Sequence, residues 1–303
     1  LHVRSRRQRQ MCIRDRNKGV ELSLGWRDNI NDFNYSALIN LSHNKNEVTR
    51  IANTEKIIHS GVRLGNVASE FARAEEGYPI GYFYGYQTDG LFQTPEDVQN
   101  YKNSEEVVIM PNAVPGDVRF VDRNDDGIID DKDKTMIGKS NPDYNLGINL
   151  NMSYKGFDLT LVASGVFGND ILRAYRMPDS PSQNYTSEIL GRWTGPGTSN
   201  SIPRISSGNH INRSYISDLY LEDGSYVRMS NVTLGYDFKK LWKSLPFEQV
   251  RFYISAQNLF TITGYSGMDP EIGTSTGENW ISGVDFGFYP TPRTFMVGAS
   301  IKF

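Results

Sequence analysis

The sequence predicts an all-β protein in which about seven long antiparallel strands form a meander that is part of a transmembrane β-barrel. Two observations lead to this prediction. The strand segments alternate apolar and polar residues with a period of two, and short connections alternate with long ones along the chain. Successive side chains of a strand point to opposite faces, so each such strand has an apolar face and a polar face. Short turns on one side and long loops on the other are typical of outer-membrane barrels.

The hairpin at 145–167 shows the pattern most clearly. Its first arm places on one face the apolar residues Leu146, Ile148, Leu150, Met152 and Tyr154. The opposite face of that arm carries Asn145, Gly147, Asn149, Asn151 and Ser153. Lys155-Gly156 then supplies a tight turn into the second arm, which begins at Phe157. A hairpin with these two faces separates an apolar environment from a polar one.

The other strands follow in order along the chain. They are predicted at 18–27, 35–42, 225–238, 250–257 and 294–303. Three long connections separate the hairpins, and we call them the outer loops: about Glu47 to Asp143, about Asp170 to Asp223, and Gly264 to Pro290. The first is expected to be irregular, and the second contains a possible short helix at Ser187–Trp193. Strands of about 10–15 residues exceed the 5–6 usual in globular sheets and suit a tilted membrane strand of roughly 9–11.

Seven strands alone leave two open sheet edges. In lipid, each unpaired N–H or C=O group at an edge costs several kcal/mol, so we expect further strands to precede residue 17. Residues 1–16 are rich in arginine and show no strand pattern. They are either a basic arm for anionic partners or a segment foreign to the fold. We interpret 1–16 as a non-native or disordered basic segment and 17–303 as the barrel portion.

Composition excludes several classes of protein. The formal net charge is −3 and the body of the chain has no basic stripe, so nucleic acid is not an expected partner. Cys12 is the single cysteine, which excludes an internal disulfide and a cysteine-based metal site. No apolar run reaches the length of a transmembrane helix, about 18 residues. Barrel strands are still compatible, because alternation averages out their hydropathy.

Several segments together resemble the C-terminal portion of the SusC/RagA-type TonB-dependent outer-membrane transporters. They include Gly77-Tyr78-Pro79-Ile80-Gly81, Thr88-Asp89-Gly90-Leu91-Phe92-Gln93, Pro115-Gly116-Asp117-Val118-Arg119-Phe120, Asn141-Pro142-Asp143-Tyr144, Tyr154-Lys155-Gly156-Phe157-Asp158-Leu159, Asp223-Gly224-Ser225-Tyr226-Val227-Arg228 and Asp269-Pro270-Glu271. They occur in the family's order over about 17–303, and the chain ends on an aromatic residue, Phe303, as the family's assembly signal does.

The resemblance implies a barrel of about 22 strands with a plugged lumen, of which this chain supplies about seven strands. It also implies a multi-pass location in the outer membrane, energy from the TonB complex through a preceding segment, and a SusD-like lipoprotein lid. The implied cargo is an oligosaccharide or a peptide, with glycan uptake as a typical role. On this basis Leu146, Leu150 and their neighbours face outer-membrane lipid, and Asn145, Asn149 and Asn151 face the lumen.

The sharpest local motif is the acidic stretch 122–133. Oxygen-bearing side chains fall at its positions 1, 3, 5, 9 and 12 and glycine at position 6, which is the spacing of an EF-hand calcium loop. This spacing predicts a structural Ca²⁺ site formed by Asp122, Asn124, Asp126, Ile128 (through its carbonyl), Asp130 and Asp133. Position 12 is aspartate where EF-hands have glutamate. The alternative is an acidic turn that only solvates the outer loop.

Other chemistry is sparse. The four histidines are isolated and no nucleophile or phosphate-binding motif occurs, so an enzyme is not expected. The outer loops carry aromatic residues that either stack on sugars or pack the loops together: Tyr185, Trp193, Tyr265, Trp280 and Phe286. The alternative to a transporter is a soluble extracellular β-sandwich that binds carbohydrate and is stapled by calcium. A sandwich requires a second sheet to cover the apolar face.

Overall fold

A computed structural model describes residues 13–61, 70–175, 186–206, 210–273 and 277–303. Its strands, numbered in chain order, are β1 (Ile13–Ile30), β2 (Phe33–Ile51), β3 (Ile57–His59), β4 (Ala72–Glu75), β5 (Tyr82–Gly85), β6 (Thr88–Leu91), β7 (Val118–Phe120), β8 (Thr135–Gly138), β9 (Tyr144–Tyr154), β10 (Phe157–Phe167), β11 (Asp170–Arg173), β12 (Leu221–Asp223), β13 (Tyr226–Asp237), β14 (Gln249–Thr263), β15 (Val284–Asp285) and β16 (Thr294–Lys302). The described residues also form the helices α1 (Pro95–Asn100) and α2 (Ile211–Ser214). They form 3₁₀ helices at Asp131–Asp133, Ser187–Gly191, Asp218–Tyr220 and Phe238–Lys240.

Seven long strands form one antiparallel sheet in the order β1-β2-β9-β10-β13-β14-β16. Each strand pairs with the next long strand of the chain, which confirms the predicted meander and its all-β class. The first strand begins earlier than predicted, because Ile13 to Arg16 pair with the outer end of β2, Ile13 opposite Ile51. These four residues belong to β1 in the structure, and the division of the chain at residue 17 stays a prediction. The rest of the basic segment, 1–12, lies outside the described residues.

Register gives the sheet two chemically distinct faces. Leu150 lies between Ala37 on β2 and Leu161 on β10, all on the apolar face. Asn149 lies one residue earlier on the opposite, polar face. The turn at Lys155-Gly156 fixes this register, because both residues have positive φ (47° and 95°), as a type I′ hairpin turn requires.

The apolar face has no covering layer within the described ranges. Val20 on β1 is 71% exposed and Val297 on β16 is 82% exposed. A β-sandwich would bury such residues beneath a second sheet, so this sheet is not half of one. Among the described residues, no helix is both long and apolar enough to cross a bilayer.

The hydrophobic core lies in the outer loops, which together form what we call the outer cap. The first outer loop contains strands β3 to β8, so the prediction that this loop is irregular is wrong. The central cluster of buried residues takes members from all three loops: Phe71, Ala72, Phe83, Leu172, Ala174, Ile216, Ile281 and Val284. Short pairings also join the loops, with β11 parallel to β15 and Tyr86 bridged to Ser217. The possible helix at Ser187–Trp193 is a 3₁₀ helix over Ser187–Gly191.

Candidate functional site

The polar face of the sheet carries ladders of uncharged hydrogen-bonding side chains. Ser23 donates to the Asn40 Oδ1 atom at 2.8 Å across β1 and β2. On the next hairpin, the Asn151 side-chain amide donates to Asn149 at 2.8 Å and Thr160 donates to Asn151 at 3.0 Å. Asn149 and Asn151 thus lie on the polar side of the sheet, as the alternation predicts. Such a surface offers amides and hydroxyls as hydrogen-bonding groups to a polar molecule.

Ion pairs neutralise several of the charges on this face. Arg251 binds Asp158 in a bidentate pair, with Nε–Oδ1 and Nη2–Oδ2 distances of 2.8 and 2.5 Å. The same guanidinium lies 4.8 Å from the ring centroid of Tyr253. A two-point pair of this kind fixes geometry as well as charge. Between β10 and β14 the polar face of the sheet, which we call the wall, is therefore polar, and the charges of Asp158 and Arg251 on it are paired.

A buried ion pair attaches the third outer loop to the wall. Arg228 on β13 is 5% exposed and contacts Asp269 and Glu271 of the Asp-Pro-Glu segment, each at 2.5 Å. Burial alone would raise the pKa of Asp269, but the N–H groups of Thr291 and Glu271, together with Arg228, lower it below its usual value. The Asp-Pro-Glu segment noted in the sequence thus serves as an anchor, which the sequence alone did not indicate.

A second buried carboxylate joins the first outer loop to the second. Asp117 of the Pro-Gly-Asp segment is 1% exposed and lies directly before β7. Its Oδ1 atom accepts from Arg204 Nε at 2.7 Å and from the Asn212 amide at 2.9 Å. Its Oδ2 atom accepts the Val114 N–H at 3.0 Å, and His210 Nε2 lies 3.7 Å away. One side chain therefore connects chain segments about ninety residues apart.

The outer-loop aromatic residues pack the cap, as one of the two interpretations predicts. Trp193 lies over Gly116, where an added Cβ would be 2.4 Å from the Trp193 ring, and its Nε1 donates to Gln93 at 3.2 Å. Trp280 and Phe286 pack on the central cluster. Tyr265 is 6% exposed and its hydroxyl donates to Asp285 at 2.5 Å. Tyr185 lies outside the described residues.

The predicted calcium loop is a turn closed by its own hydrogen bonds. The Gly127 N–H donates to Asp122 Oδ2 at 2.8 Å, and Gly127 has the positive φ (81°) that such a turn needs. Asp133 is fully buried and its carboxylate accepts the N–H groups of Arg123 and Asp130, both at 2.8 Å.

The remaining predicted ligands lie nearby in the same loop. The Asn124 amide donates to Asp126 Oδ2 at 2.7 Å, and the Ile128 N–H donates to Asp126 Oδ1 at 3.1 Å. Lys132 Nζ lies 3.3 Å from Asp126 and 3.7 Å from Asp130. Across the described ranges, no three His, Cys, Asp or Glu side chains converge as metal ligands. The six predicted residues thus share one loop, in which the Lys132 ammonium lies beside the carboxylates of Asp126 and Asp130.

A half-buried carboxylate where the cap meets the sheet makes stability depend on pH. Burial is the main cause that raises the pKa of Asp170, the nearby Asp223 carboxylate adds to it, and the Lys139 N–H opposes it. A carboxylate whose pKa is raised on folding adds stability below its unfolded pKa, and that stability is lost as the pH rises through the folded pKa.

Asp170→Asn is therefore expected to raise the melting temperature at about pH 7 and to make little difference at about pH 3, below the usual pKa of aspartate. The asparagine Oδ1 can still accept the Lys139 N–H. Thermal unfolding of both proteins across this pH range measures the effect. A melting-temperature difference that stays constant with pH would contradict it.

Comparison with known proteins identifies relatives over almost the whole chain. A TonB-dependent receptor of Formosa agariphila is 32% identical over 298 residues, which are 95% of this chain and 28% of the relative. The TonB-dependent receptor SusC of Bacteroides thetaiotaomicron is 29% identical over 295 residues, 95% of this chain and 26% of the relative. The chain thus spans less than a third of these relatives. No family model matches it.

Solved structures agree on the fold. The structure described as the RagAB peptide transporter superposes with a TM-score of 0.70 at 21% identity, covering 95% of this chain and 29% of that chain. The RagAB peptide importer in a closed-closed state gives a TM-score of 0.67. These relatives are receptors and transporters of the outer membrane, and their barrels match the seven-stranded sheet and cap described above. In sequence and in fold the chain thus resembles part of the β-barrel of the SusC/RagA-type TonB-dependent outer-membrane receptors.

Proposed function

We propose that this chain forms part of the barrel wall and the outer cap of a TonB-dependent importer. This importer carries an oligosaccharide or oligopeptide across the outer membrane. The polar face, with its ladders of amide and hydroxyl groups, is the observation that supports this role. In this proposal the apolar face contacts lipid and the polar face contacts the solvent-filled path of the cargo. A SusD-like lipoprotein covers the outer cap, and the TonB complex supplies energy through a part of the transporter that this chain does not include.

The chemistry of the wall favours an uncharged, hydroxyl-rich cargo, and therefore glycan uptake. Neutral side chains such as Ser23, Asn40 and Thr160 exchange hydrogen bonds readily with hydroxyl groups. The Asp158–Arg251 pair contributes no net charge that would select an ionic cargo. An oligopeptide is the second candidate, supported by the likeness of the fold to a peptide transporter.

Uptake by a strain that lacks the full-length gene tests the proposal. We expect the deletion to abolish growth on one class of oligomer as sole nutrient, and the intact gene to restore it. Uptake of the labelled oligomer should stop when a protonophore removes the proton gradient on which the TonB complex depends. A lipoprotein should copurify with the detergent-extracted transporter. Unchanged growth of the deletion strain on every glycan and peptide tested would contradict import.

We also propose that the loop at 122–133 binds Ca²⁺ as a structural cofactor of the outer cap. Two observations support a cation there. Asp122 Oδ1 is a buried oxygen without a hydrogen-bond partner among the described residues. Lys132 already places a positive charge beside Asp126 and Asp130. Calcium would displace the Lys132 ammonium and draw in Asp122, Asn124, the Ile128 carbonyl and Asp133, because hard cations prefer several oxygen ligands.

Calcium is expected to raise the melting temperature of the full-length transporter in detergent, compared with the same sample in a chelator. Asp126→Ala should remove this response. The matched control is Asp131→Ala, which removes an aspartate of the same loop that lies outside the proposed ligand set and is 88% exposed. If Asp126→Ala responds to calcium as the wild type does, the calcium site is disproved.

A further inference from the structure

The apolar face of the sheet continues onto the connection between β13 and β14, residues 238–248, which we call the link. The link lies at the short-turn end of the sheet. Five aromatic rings lie together there, with neighbouring centroids 4.5 to 5.5 Å apart and Phe238 in contact with three of the others, and we call them the aromatic row: Phe157, Tyr236, Phe238, Trp242 and Phe252. Trp242 is 54% exposed and Phe157 is 52% exposed. The row is therefore an apolar surface at the level where the sheet ends.

Hydrogen bonds hold the link in one shape, so its exposed rings are displayed by a fixed scaffold. Lys239 Nζ donates to the carbonyls of Lys243 and Leu245 at 2.9 and 2.5 Å. The Trp242 N–H donates to the Phe238 carbonyl at 2.8 Å. A tryptophan held outward on a barrel suits the boundary between lipid and water, where its apolar body and polar N–H are both accommodated.

Three lysines lie beside the aromatic row, and we call them the lysine set: Lys155, Lys240 and Lys243. All three are exposed, and in the described part of the chain none is paired with a carboxylate. Lys155 Nζ lies 5.2 Å from the Tyr154 ring centroid, and an added Cβ at Gly156 would lie 3.1 Å from the Lys240 side chain. The nearby Glu248 is paired with Lys302 at 2.9 Å. Positive charge is thus concentrated where the row meets water.

We infer that the aromatic row and the lysine set bind the headgroup of an anionic phospholipid in the leaflet on the short-turn side. The rings lie against the upper acyl chains, and the ammonium groups contact the phosphate. Basic residues close to a membrane surface attract anionic lipids, whereas aromatic rings alone show no preference for headgroup charge. The preference for an anionic headgroup therefore comes from the lysine set. It is independent of the cargo.

Quenching of Trp242 fluorescence tests the inference in the full-length transporter refolded into phosphatidylcholine vesicles. A fixed small fraction of the lipid is brominated, either as phosphatidylglycerol or as phosphatidylcholine, because bromine quenches a tryptophan that it contacts. Subtracting the signal of Trp242→Phe isolates this residue. We expect brominated phosphatidylglycerol to quench Trp242 roughly threefold more strongly than brominated phosphatidylcholine.

Changing the lysine set to glutamine should bring the quenching ratio to about one, and changing it to arginine should preserve the ratio, because arginine keeps the charge. The matched control changes Lys18 and Lys45 to glutamine. These two residues face each other across β1 and β2 at the opposite end of the apolar face, so the ratio at Trp242 should not change. Equal quenching by both lipids in the wild type, or an unchanged ratio in the folded glutamine variant, would overturn the inference.

Discussion

Leu150→Lys is expected to lower the free energy of unfolding of the refolded barrel by about 2–4 kcal/mol, the cost of a lysine near the bilayer midplane on the lipid-facing side. Leu150 lies mid-strand in β9 with Ala37 and Leu161 as apolar cross-strand neighbours. Neither of these two directly paired neighbours offers the new ammonium group a carboxylate. Chemical denaturation of the full-length transporter in lipid vesicles measures the change.

The adjacent position supplies the control. Asn149→Lys adds the same charge one residue earlier, on the polar face, where Asn151 is a hydrogen-bonding neighbour. We expect this variant to change stability by less than about 1 kcal/mol, because the lumen is wet. Equal destabilisation by both lysines would mean that the two faces do not meet different solvents, and the assignment of lipid and lumen would fail.

Asp117→Ala is expected to loosen the outer cap by about 2–4 kcal/mol, because it leaves the Arg204 guanidinium and the buried Asn212 amide without their acceptor. The Arg204 side chain is 29% exposed, so water compensates part of the loss. Hydrogen exchange of backbone amides in β7, whose Val118 N–H donates to Asn212, should accelerate. The seven-stranded sheet should keep its protection, since Asp117 bonds within the cap.

Two variants make this result specific. Asp117→Asn keeps an acceptor and removes the charge, so its effect should be about half that of alanine. Asp89→Ala removes an ion pair with Arg119 in the same cap, but Asp89 is 66% exposed. Such a surface pair contributes at most about 1 kcal/mol. If Asp89→Ala and Asp117→Ala have equal effects, burial is not what makes Asp117 important.

The residues of the candidate sites differ in how far apart in the sequence their interaction partners lie. The regular spacing of acidic residues at 122–133 can be recognised in the sequence because all of these residues lie in one short loop. Arg228 with Asp269, and Asp117 with Arg204, could not be paired from the sequence, because their partners are 41 and 87 residues away. The family resemblance marked both aspartates but gave neither a role.

The alternation of apolar and polar residues in the sequence is enough to predict the meander of about seven strands and its two faces. Alternation with period two is a local property, and one face of each strand meets an environment of one polarity along its length. The packing of the outer cap is known only from the tertiary structure. Its strands have two to four residues and its core draws on three loops, so each apolar residue is buried by partners far away in the chain. No short window of sequence contains that information.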